Sequence, residues 1–73
     1  MDKKINDFIV FCLESYKSKY NIKGYDAYNL FKEYGLFDYL KDGYDVLHTQ
    51  GQDYIINDIE IYLENRKVDN FAG

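Results

Sequence analysis

At 73 residues, with 47% hydrophobic and 19% aromatic side chains, the chain has room for one domain built around one core. A single cysteine excludes a disulfide-stapled scaffold, and a net charge of −4 argues against direct binding to DNA or RNA, whose phosphates select a basic face. A domain this small buries only about 60% of the surface that its unfolded chain exposes, so its stability margin is thin.

The first apolar segment carries Ile5, Phe8, Ile9, Cys12, Leu13, Tyr16 and Tyr20 at three- and four-residue steps. This spacing predicts one face of a helix over residues 4–20. Val10 and Phe11 fall off the stripe, so the helix is either deeply embedded or carries a second contact surface. The same segment, MDKKINDFIVFCLESYK, has a basic start and a short apolar run, but Asp7 and Glu14 bracket that run and no small-residue cleavage site follows. The run is far below the roughly 20 apolar residues that cross a bilayer. The expectation is a soluble cytoplasmic protein with no membrane contact.

Ala27, Leu30, Phe31 and Tyr34 make a narrower stripe that predicts a second helix over 25–34, closed by Gly35 in the left-handed conformation. A third helix is expected over 36–48, with Leu36, Leu40, Gly43 and Leu47 along one side, flanked by Phe37 and Tyr44 on one edge and by Tyr39 and Val46 on the other. Asp38, Asp42 and Asp45 gather opposite with Lys41 and His48. Gly43 costs a helix roughly 1 kcal/mol against alanine and marks the place for a kink or split. A fourth helix over 52–66 puts Ile55, Ile56, Ile59, Tyr62 and Leu63 on one face, while the tail 67–73 is expected to fray unless Val68 and Phe71 find a groove. The predicted class is a compact all-α domain of four helices.

Charge is unevenly placed. Residues 1–24 hold five lysines against Asp2, Asp7 and Glu14, whereas residues 25–73 hold ten acidic and four basic groups. An acidic second half favours approach to a basic protein surface, although a solvated face that aids solubility accounts for it as well. Nine tyrosines fit an interface, since tyrosine buries a ring and leaves a hydroxyl to bond at the rim. A coding bias that inflates Tyr, Ile, Lys and Asn together explains them equally.

The candidate sites for chemistry do not hold up. A calcium loop started at Asp38 has Leu40 at its third position, where an oxygen ligand is required, and Thr49 at its twelfth, where a bidentate glutamate is required. Asp45 lies one turn before His48, but no nucleophile, second base or ligand set accompanies the pair. His48 reads more simply as a residue of the last helical turn, with Thr49-Gln50-Gly51 as the exit and Gly51 left-handed. One histidine and one cysteine do not assemble a zinc site without several carboxylates. Cys12 reads as a small buried hydrophobe. No enzyme activity and no cofactor are expected. Tyr54 and Ile61, seven residues apart and opposite the core stripe of the fourth helix, form a second apolar ridge beside Asp58.

The blocks FIVFCLESY, YGLFDYL, YDVLHTQG and YIINDIEIYL resemble a family of short bacterial proteins of unknown function, the likeness running from Phe8 to Leu63. Members of that family are typically encoded beside a protein that looks like an ADP-ribosyltransferase. The resemblance implies a toxin and antitoxin, or an enzyme and its regulatory partner, and marks Tyr44, Asp45, Leu47, His48, Thr49 and Gly51 as a signature without an assigned active site. The expectation is therefore a protein-binding module with Asp42, Asp45, His48, Tyr54, Asp58 and Ile61 on its partner face. The rival is a homodimer built through Phe11 or the Tyr54/Ile61 ridge. A helix-turn-helix repressor ranks third, because its second helix would present aspartates to phosphate.

Overall fold

The computed structural model describes the backbone of residues 2–72 and the side chains of residues 2–67. Five helices follow one another, α1 (Lys3–Tyr20), α2 (Gly24–Glu33), α3 (Leu36–Asp42), α4 (Tyr44–Leu47) and α5 (Gln52–Ala72), with no strand among the described residues. The class is all-α, as the periodicity predicts.

Local chemistry sets most of the boundaries. At the start of α1 the Asp2 carboxylate accepts the backbone N–H of Lys4 at 2.8 Å, satisfying one of the donors that a helix start leaves orphaned. At its end Asn21 turns left-handed at φ 52°, and Lys17 and Lys19 face the negative end of the helix dipole. Gly35 takes φ +71°, the conformation expected of it, and so ends α2 and starts α3 in one step.

Three boundaries differ from expectation. The segment 36–48 is divided at Gly43, where a Cβ would lie 3.0 Å from Leu47 Cδ1 and 3.3 Å from the Tyr39 carbonyl oxygen. The glycine allows that close approach. Gly51 is not left-handed, since among the described residues only Gly35 is a glycine of positive φ. The exit from α4 is instead a run of tight turns in which His48, Thr49 and Gln50 donate back to Tyr44, Val46 and Leu47. Finally, α5 continues past residue 66 to Ala72. Docking of the Val68 and Phe71 side chains lies outside the described residues.

The central element is α1, which packs against α2, α3 and α5. Its Phe8, Ile9, Cys12 and Tyr16 meet Phe31 from α2, Leu36 and Leu40 from α3, Leu47 from α4, and Ile55, Ile56, Ile59 and Leu63 from α5. Phe31, Leu36, Leu40, Ile59 and Cys12 are fully enclosed. Each large apolar side chain so enclosed contributes about 1.5–3 kcal/mol, which offsets the ordering entropy of a short chain. Val10 and Phe11 are 49% and 44% exposed, so α1 is not embedded on all sides. Two side chains assigned to apolar faces are exposed: Tyr20 at the end of α1, in part, and Val46, which the single turn of α4 directs to solvent at 68% exposure.

Candidate functional site

The six residues expected on a partner face divide into three settings. Asp42, Asp45 and His48 are exposed along α3, α4 and the exit from α4. Tyr54 and Ile61 are 56% and 51% exposed on α5, so the ridge opposite its core stripe is open to solvent. Asp58, between them in sequence, is half-buried, and its Oδ2 accepts the Tyr39 hydroxyl at 2.6 Å. It belongs to an internal contact between α3 and α5.

His48 is held by its neighbour one turn back. Its ring stacks on Tyr44 with centroids 4.2 Å apart and planes 5° apart, and Nδ1 donates to the Tyr44 carbonyl at 2.6 Å. Tyr44 in turn meets Phe8 edge-on at 5.5 Å, so the histidine caps a short aromatic chain that leads into the core. Asp45 forms no ion pair with it among the described residues.

Around Tyr39 the fold assembles a cleft that sequence reasoning did not single out. Tyr39 and Tyr62 lie 4.4 Å apart, and the Tyr62 hydroxyl donates to the Tyr34 carbonyl at 2.8 Å. The Arg66 guanidinium carbon sits 5.0 Å from the centre of the Tyr62 ring. Together with Asp38 and Asp42 these residues line an open cleft of about 370 Å³. Burial, and then the hydrogen bond to Asp58, raise the Tyr39 phenol to about 12. The one available sequence signal is the run Asp58, Tyr62, Arg66, each one turn from the last on α5.

Elsewhere the surface is occupied by ordinary contacts or by apolar relief. Glu60 takes both Lys19, at 2.9 Å, and the Tyr20 hydroxyl, joining α1 to α5. The hydroxyl of buried Ser15 accepts from Gln52 Nε2 at 3.0 Å. A shallow groove of about 530 Å³ runs between α1, α2 and α3, with Ile9, Val10, Leu13, Tyr28 and Phe37 among its walls. Burial pushes the Cys12 thiol up to about 12, which keeps it protonated and unreactive near neutral pH. Among the described residues no three His, Cys, Asp or Glu side chains group closely enough to hold a metal ion. No described helix is long and apolar enough to cross a membrane.

The fold defines a small all-α domain. A family model described as "Protein of unknown function (DUF3791)" matches residues 7–66, and the chain belongs to that family. Neither the curated proteins nor the solved structures contain a match to it.

Proposed function

We propose that this domain is a non-enzymatic protein-binding module, an antitoxin or regulatory partner that acts in the cytoplasm and masks a toxin-like ADP-ribosyltransferase. The identity of the partner rests on the resemblance of the YDVLHTQG block to a family encoded beside such enzymes. The observation that supports the binding role is the exposure of Asp42 and Asp45 on α3 and α4 and, separately, of Tyr54 and Ile61 on α5, acidic and apolar groups of the kinds that meet a protein partner. Masking would be steric and electrostatic and would need no cofactor.

Co-purification with the neighbouring gene product, followed by mass measurement in solution, tests the reading. A monomer that converts to a heterocomplex supports it, and no complex with the neighbour counts against it. Reversing Asp42 and Asp45 to lysine should mainly slow association and weaken its salt dependence. Association rates unchanged at low salt would remove the electrostatic part.

Self-association is the second reading. It is favoured by Phe11 and Val10, half-exposed on α1, and by the open Tyr54/Ile61 ridge. A stable dimer of the isolated chain would support it.

A further inference from the structure

We draw no further inference here: the strongest candidate, the shallow apolar groove between α1, α2 and α3 walled by Ile9, Val10, Leu13, Tyr28 and Phe37, carries none, because its polar rim of Asn6, Asp38 and Lys41 balances one acid against one base and so selects no occupant by charge, and nothing in the structure shows what covers it.

Discussion

The Tyr39 hydroxyl donates to Asp58 Oδ2 at 2.6 Å and ties α3 to α5 across 19 positions of sequence. A hydrogen bond to a charged group in a half-buried setting contributes more than a neutral one, so Tyr39→Phe should cost about 1–2 kcal/mol in chemical denaturation. The folded phenol keeps its proton to about 12 against an ordinary value of 10. Its contribution is therefore complete below pH 10 and is lost as the pH rises through 12. Cys12, raised from 9.0 to about 12, acts in the same direction over a neighbouring window. Denaturation midpoints measured between neutral and strongly alkaline pH should fall more steeply for the parent than for Tyr39→Phe; parallel curves would show that the bond does not govern the titration.

Ile59 is fully enclosed, whereas Tyr54 and Ile61 on the same helix stand half-exposed. Ile59→Ala should cost roughly 2–5 kcal/mol and unfold or severely weaken so small a domain. Tyr54→Ala with Ile61→Ala should leave the thermal melt close to that of the parent and reduce association, with the partner if the masking function holds or with itself if the chain dimerises. Circular dichroism melts paired with light scattering separate these results. A double variant that melts like Ile59→Ala would make the ridge part of the core.

His48 ends α4 and stacks on Tyr44, and among the described residues no acid or base is in ion-pair contact with it. His48→Asn should cost at most about 1 kcal/mol, the value of one exposed aromatic stack, and, if the masking function holds, should leave inhibition of the partner intact. Loss of inhibition by a folded variant would assign the histidine a role in the contact.

Two glycines offer a backbone comparison. Gly35 has φ +71°, and a Cβ there would meet the Tyr62 hydroxyl at an ordinary 3.5 Å, so Gly35→Ala should cost about 1–2 kcal/mol through backbone strain alone. Gly51 has no positive φ and nothing within 4 Å of its Cβ position. Gly51→Ala should cost less than Gly35→Ala, about 0.5–1 kcal/mol at most, from the preference for glycine over alanine at the residue that opens a helix. Equal costs at the two sites would mean that conformation is not what selects glycine at position 35.

The helical faces were legible because their information is local. Phe8, Ile9, Cys12 and Tyr16 recur at the period of the helix, and all four are buried; Ile55, Ile56, Ile59 and Leu63 repeat the pattern on α5. Val46 misled because the same period was carried through Gly43, where the helix breaks and a single turn redirects the side chain. Asp58 misled for a different reason. Its place beside the Tyr54/Ile61 ridge indicated an open carboxylate, and nothing in its own neighbourhood of sequence announces the tyrosine that bonds to it.

By itself the sequence determined an all-α domain, the residues of its core, a left-handed turn at Gly35 and an acidic second half. Each of these depends on composition or on contacts within a turn or two of one helix. Only the tertiary structure decided which surface groups remain open and which are engaged: Asp42 and Tyr54 open, Asp58 bonded to Tyr39, Glu60 shared by Lys19 and Tyr20, and Arg66 placed on Tyr62 in a cleft that Asp38 also lines. The physical reason is that most of these pairings cross between helices. They depend on how α1, α3 and α5 pack around the shared core, a relation that no single helical period encodes.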